Sequence, residues 1–216
     1  MKNILLYTVI ICAIFFVACS KTADNTAANS AASLWPLKAG NSWVYQDSTY
    51  DTNGVLTDSY SDSTFITTQT INSIGINFFG LNDSTGWFGA SSFVGVDGSN
   101  TSLYLMETTN TDPYIFFSLN PPDGYLTDSA SFASNPSNAQ SDALYGFKNT
   151  FNINGFTCYK SQENVTDENG NITYATVYYV SPGIGVVRIE EYSTDSNNNN
   201  ALYLDYSQTL VSYKLN

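Results

Sequence analysis

The chain contains no histidine. That excludes Ser-His-Asp and Cys-His catalysis, and any zinc or haem site that depends on imidazole. Cations are also scarce: 7 Lys and Arg against 19 Asp and Glu give a net charge of -12. Taken whole, such a chain is a poor partner for nucleic acid or for an anionic membrane face. Charged residues of both signs make up only 12% of the sequence, and no stretch shows a convincing 3.6-residue apolar period. Ser, Thr, Asn and Asp supply the polarity, and aromatics reach 15%, with 16 Tyr. Tyr, Phe, Thr and Val suit a pleated, half-buried surface, so the composition points to strands and turns.

One long apolar run is present. Lys2 gives a short positive n-region, and Ile4 to Val17 (ILLYTVIICAIFFV) are apolar apart from Thr8. Fourteen residues fall short of the ~20 a membrane-spanning helix needs but fit the core of a signal peptide. The run ends in Phe16-Val17-Ala18-Cys19, which resembles the lipobox of bacterial lipoproteins. Residues 1–18 are therefore expected to be a lipoprotein signal peptide. The resemblance implies that the Cys19 thiol carries a diacylglycerol and the freed amine a further acyl chain, enough to hold a protein on a membrane. Residues 19–33 (CSKTADNTAANSAAS) have no large apolar side chain and read as a lipidated, flexible tether. Of three Cys, Cys12 leaves with the signal and Cys19 is modified, so Cys158 has no disulfide partner. It reads as a small buried hydrophobe on a strand.

The folded domain is expected over residues 34–216. Its C-terminal third reads as a four-stranded antiparallel meander: Phe156–Thr166, Ile172–Val180, Val186–Ser193 and Ala201–Leu215, punctuated by Asp167-Glu168-Asn169-Gly170, Ser181-Pro182-Gly183 and Asp195–Asn200. Near the start, Trp43–Tyr50 turns at Asp51-Thr52-Asn53-Gly54 and returns through Val55–Ile71. Shorter strands are expected at Ile76–Leu81, Trp87–Gly89, Phe93–Val96, Leu103–Met106 and Tyr114–Leu119. The stretch from Asn120 to Asp142, with Pro121, Pro122 and Pro136, reads as loop, with a short helix near Gln140–Tyr145. The fold class is all-β: a single antiparallel meander, strongly curved or partly closed into a β-barrel, following a signal helix and tether.

Three stretches of this domain resemble uncharacterised lipoproteins of Bacteroidota. They are Leu34-Trp35-Pro36-Leu37-Lys38-Ala39-Gly40-Asn41-Ser42-Trp43-Val44-Tyr45, Thr150–Lys160, and Tyr178-Tyr179-Val180-Ser181-Pro182-Gly183-Ile184-Gly185-Val186-Val187-Arg188. The middle stretch departs most, with Asn152-Ile153-Asn154-Gly155 where Pro-Ala-Gly is more typical. The resemblance implies an incomplete antiparallel β-barrel, similar in outline to periplasmic lipoprotein-carrier proteins, and implies no activity. On the residues alone, Trp43 and Tyr45 share one strand face and can plug a barrel end, while Gly183 and Gly185 allow a sharp reversal.

Candidate chemistry is thin. Glu190 and Glu191 are adjacent on a strand and so point to opposite faces, which denies them a facing acid/base role. Arg188, the only arginine, shares a face with Glu190 and reads as a surface charge. Asp51-x-Asn53-Gly54 and Asp167-x-Asn169-Gly170-Asn171 hold fragments of a calcium loop but lack its last acidic ligand, and hairpin turns account for both. Asp47-Ser48-Thr49, Asp62-Ser63-Thr64, Asp83-Ser84-Thr85 and Asp128-Ser129-Ala130 resemble the O-glycosylation acceptor of some Bacteroidota. A sheet rich in Tyr174, Tyr178, Tyr192, Tyr203, Tyr206 and Tyr213, with Trp87, Phe88, Phe116 and Phe117, can take an acyl chain or stack a sugar. No cofactor, metal or catalytic residue is expected. The expected protein is a lipid-anchored envelope binding module, most simply at the outer membrane, for a hydrophobic or glycan ligand or a protein partner. A structural component of an envelope complex is the second reading, and a carboxylate-dependent glycan hydrolase the last.

Overall fold

A computed structural model describes residues 33–83, 88, 92–109, 111–119, 125–128, 141–195, 198 and 200–216. The signal segment, Cys19, the tether as far as residue 32, Trp87 and the proposed glycosylation acceptors at residues 84 and 129 lie outside them.

The fold is all-β, with no helix among the described residues and twelve antiparallel strands in a nearly closed barrel that has one unsealed seam. In chain order these are β1 (Ser42–Tyr50), β2 (Leu56–Ser73), β3 (Ile76–Asp83), β4 (Phe93–Val96), β5 (Ser102–Met106), β6 (Tyr114–Ser118), β7 (Tyr125–Asp128), β8 (Ser141–Ile153), β9 (Phe156–Thr166), β10 (Ile172–Ser181), β11 (Gly185–Asp195) and β12 (Ala201–Lys214). Every strand pairs with its neighbours in sequence, except at two places. β1 pairs with β12, joining the ends of the meander, while β6 and β7 are the two unpaired edges. β6 lies against β7, β8 and β9 without joining their ladder, and there the seam stays open.

The curvature has visible causes. Register slips at Val44/Tyr45, Ile66/Thr70, Tyr179/Val180 and Glu191/Tyr192 mark bulges that bend and twist the sheet. Two hairpins turn on adjacent left-handed residues: Ile74-Gly75 (φ 47° and 79°) and Asn154-Gly155 (φ 50° and 87°), the geometry that matches strand twist. Asn-Gly suits it; Ile at positive φ is strained.

Alternation along β1 explains the core. Trp43, Tyr45 and Asp47 are buried while their neighbours are half-exposed, so one face points into the barrel. The main core joins Trp35, Trp43, Ile66, Leu81, Val94, Leu103, Phe116, Tyr178, Val187 and Ile189. A smaller cluster of Ile76, Phe78, Phe93 and Met106 packs by itself.

The expected helix near Gln140–Tyr145 is wrong over its described residues: Gln140 lies outside them, and 141–145 open β8. Its Gly146, Lys148, Asn149 and Asn152 are weak strand formers, and pairing along β9 overrides that preference. Leu144 is buried within it, and Lys160 sits 4.4 Å above the Phe147 ring. The stretch read as loop also contains β7.

Candidate functional site

The hairpins divide the barrel into two ends. One end carries the β2–β3, β4–β5, β8–β9 and β10–β11 turns and the end of β12. The other carries the β1–β2, β9–β10 and β11–β12 turns.

The first end is plugged. Residues 33–41 cross it, held on one side by Asn100, whose side-chain oxygen accepts from the Leu34 amide at 2.8 Å. On the other side the Gly183 amide donates to the Ser33 carbonyl at 2.7 Å. Trp35, fully buried, lies on Gly185: a Cβ there would meet the indole at 2.2 Å, and φ is +103°. Trp43 donates its indole N–H to the Ile184 carbonyl at 2.7 Å, and the Tyr45 hydroxyl donates to the Val186 carbonyl at 3.0 Å. The opening and late motifs, some 140 residues apart, are thus the two halves of one lock. Asn41 completes it: its side-chain N–H donates to Pro36 O at 2.6 Å, and its oxygen accepts from the Asn216 amide at 2.8 Å.

From this plug a file of rings runs into the barrel: Trp43–Trp35 at 5.5 Å, Trp35–Phe88 at 5.3 Å, Phe88–Phe116 at 6.0 Å and Phe116–Tyr178 at 5.4 Å. Edge-on contacts dominate, as ring quadrupoles prefer. These rings are all buried, so along this file the aromatic interior is packed core.

Beyond them the inward face turns polar. Asp47, Asp62, Thr64, Asp83 and Gln208 are all buried. Asp47 lies opposite Gln208 on β12 and Tyr60 on β2, and Thr64 opposite Asp83. Neither carboxylate oxygen of Asp47 makes a hydrogen bond of normal geometry; the same holds for the Thr64 hydroxyl and both amide atoms of Gln208. Burial pushes the Asp47 carboxyl above its usual range, Tyr206 and Gln208 draw it partly back, and the Asp62 charge adds to the rise. Burial, then the charges of Asp83, Asp47 and Asp62, drive the Tyr45 hydroxyl well above the ordinary tyrosine value. A polar belt of this kind disfavours an alkyl chain threaded through the barrel, because buried polar groups would stay unpaired. The sequence reading missed it. The signal was there: Trp43-x-Tyr45-x-Asp47 and Asp62-x-Thr64-x-Ile66 place acids in register with the core aromatics.

The remaining candidates resolve cleanly. Cys158 is a free, buried thiol, pushed up to about 11 by burial, and so unreactive. Glu190 and Glu191 do take opposite faces. Glu190 pairs with Arg188 at 2.8 Å and accepts from the Tyr179 and Tyr192 hydroxyls at 3.3 and 3.0 Å. The Asp51 and Asp167 fragments are hairpin turns. Asp51 accepts from the amides of Asn53 and Val55, Asp167 from those of Asn169 and Asn171. These bonds hold both carboxyls below the usual range, the Val55 amide contributing most at Asp51 and the Asn171 side chain at Asp167.

One concavity lies at the plugged end. A groove of about 670 Å³ is walled by Trp35, Pro36, Leu37, Ile76, Phe79, Val96 and Leu215, with Lys38, Asn41, Asn77 and Asn216 among its polar residues.

No protein-family description matches the chain, and no curated protein matches it. Among solved structures it is similar to a candidate lipoprotein of Parabacteroides distasonis, at TM-score 0.41 and 17% identity, covering 86% of this chain and 100% of that one. It is also similar to a candidate exported protein of Bacteroides fragilis with a YmcC-like fold, at TM-score 0.42 and 15% identity, covering 85% and 100%. Both neighbours come from Bacteroidetes, the group named by the resemblance in the sequence. Scores of this size assign neither family membership nor activity, and the functional reading rests on the chain's own residues.

Proposed function

We propose that the protein is a lipid-anchored lipoprotein of the cell envelope, at the outer membrane, and that it works as a non-enzymatic binding module for an apolar ligand seated in the groove at the plugged end. The observation that carries this reading is the groove itself: it has an apolar wall of Leu37, Ile76, Phe79 and Val96, and Lys38 and Asn77 stand beside it to meet a polar or anionic head. The polar belt further along the barrel supports the location, since an alkyl chain gains most by leaving water against apolar walls and gains nothing beside buried carboxylates. A glycan or a protein partner is the less favoured occupant, because an apolar wall offers few acceptors for sugar hydroxyls.

Native mass spectrometry of the protein purified from its own host tests the reading, together with titration of a fluorescent fatty-acid analogue. A co-purified apolar molecule, and binding of the analogue that Leu37→Asp weakens at least tenfold while the circular dichroism stays that of a sheet protein, are the expected results. Repeated preparations without any bound molecule, with no analogue binding to the unaltered protein, would overturn it.

A further inference from the structure

We infer that the plugged end is the membrane-facing end of the barrel, seated on the lipid surface with its acidic far end turned away; this rests on the reading of Cys19 as the lipidated residue. Two observations converge on it.

The chain enters the barrel at the plugged end. Ser33 is bonded to Gly183 there, and the Ser33 hydroxyl donates to the Trp35 carbonyl. Cys19 is fourteen residues upstream, a span of at most about 50 Å even fully extended. A lipid at Cys19 therefore keeps this end nearer the bilayer than the other on average.

Charge is divided between the ends in the same sense. At the plugged end stand Lys38, whose Nζ donates to the Asn216 carbonyl at 3.1 Å, and Lys214, with Asp97 the one acidic side chain of its turns among the described residues. Asp97 is occupied by its own turn, accepting from the Thr101 and Ser102 amides at 2.7 and 2.9 Å. Around the far end lie Glu107, Asp112, Asp51, Asp167, Glu168 and Asp195. The chain as a whole is repelled by anionic headgroups, but that repulsion is concentrated where it turns the far end outward. Each lysine close to an anionic surface favours contact by about fivefold.

Exposed apolar residues do not by themselves choose between the ends. Ile74, Val211 and Leu215 are exposed at the plugged end, and Val55, Leu56 and Leu202 at the other. Entry point and charge make the choice. They also set the apolar groove so that it opens toward the lipid.

Two labels separate the outcomes. Ile74→Cys at the β2–β3 tip and Val55→Cys beyond β1 each carry a fluorophore, while Cys158 is buried and stays unlabelled. β1 alone, at 9 residues, rises about 30 Å, so a label at the far rim is beyond contact with lipid. The lipidated full chain is reconstituted into vesicles of phosphatidylethanolamine and phosphatidylglycerol carrying a brominated-lipid quencher. Quenching at Ile74 and none at Val55 is expected, and Lys38→Glu with Lys214→Glu should weaken the Ile74 quenching. Quenching at Val55, equal quenching at both, or quenching untouched by the lysine changes overturns the orientation while leaving the anchor standing. A purified chain that carries no lipid at Cys19 and does not associate with vesicles overturns both.

Discussion

The two halves of the barrel interior are built to opposite rules. At the plugged end the polar atoms that folding buries mostly find partners, several of them far along the chain: Trp43 on Ile184, Tyr45 on Val186 and Asn41 on Asn216, with Asn41 also on nearby Pro36. The Trp35 indole nitrogen is the exception, and its ring is held by Gly185 and its neighbours Trp43 and Phe88. A few residues further along the same strands, Asp47, Thr64 and Gln208 are buried with polar atoms that lack a hydrogen bond of normal geometry, Asp47 being held only in part by Tyr206 and Gln208. One end therefore stabilises the fold and the other draws on that stability. A marginally stable domain can carry such a polar belt only because the lock offsets it.

The largest effect should come from breaking the lock. Trp35→Ala removes a fully buried ring and is expected to cost about 3–5 kcal/mol in denaturant unfolding. Gly185→Ala comes next: the new methyl collides with Trp35 at a positive φ, and overpacking plus backbone strain should cost about 3 kcal/mol. Gly170→Ala is its control. That residue is also left-handed (φ +80°) but has open space around it, so only the backbone term of about 1 kcal/mol remains. Equal losses at the two glycines would show that Trp35 does not seat on Gly185.

Smaller changes sharpen the contrast. Ile74→Asn relieves a β-branched residue at φ 47° on an exposed tip and should stabilise by about 1 kcal/mol, raising Tm by about 2–4 °C. Smallest in size but clearest in sign is Asp47. Its folded pKa lies above the ordinary 3.8, so the native state holds its proton longer than the unfolded chain, and Asp47 weakens the fold as pH rises through that window. Asp97 does the reverse. Burial pushes its carboxyl up, but hydrogen bonds from Ser99, Ser102 and Thr101 win and hold it below 3.8, so its stabilisation is present above that value and lost as pH falls through the folded pKa. Asp47→Asn should flatten the loss of stability as pH rises above about 4, and Asp97→Asn should flatten the loss as pH falls below about 4. Urea midpoints measured across pH would show both, and identical profiles for the two variants would contradict the contrast.

Most of the fold could be read from residue pattern, for identifiable reasons. Alternation in Trp43-x-Tyr45, in the meander from Phe156 to Leu215, and the Asp-x-Asn-Gly turns are local signals that survive in the structure. β8 was not legible because its strand identity comes from pairing with β9, a partner that periodicity within Gly146–Asn152 does not announce. The lock was half legible. Pro36, Gly40 and Gly185 advertise turns, but nothing in either motif states that Trp35 rests on Gly185. The polar belt was hidden for a different reason: Asp47 and Asp62 were read within tripeptides along the chain, whereas their meaning lies across it, among β1, β2, β3 and β12.

The account as a whole is tested most directly by the intact mass of the mature protein isolated from membranes of its own host. It predicts a chain that begins at Cys19 with a thioether-linked diacylglycerol and an acylated amine, and a Cys19→Ser variant that carries neither and leaves the membrane fraction. A mature chain with an unmodified Cys19, or one cleaved elsewhere and recovered as a freely soluble protein, would contradict it.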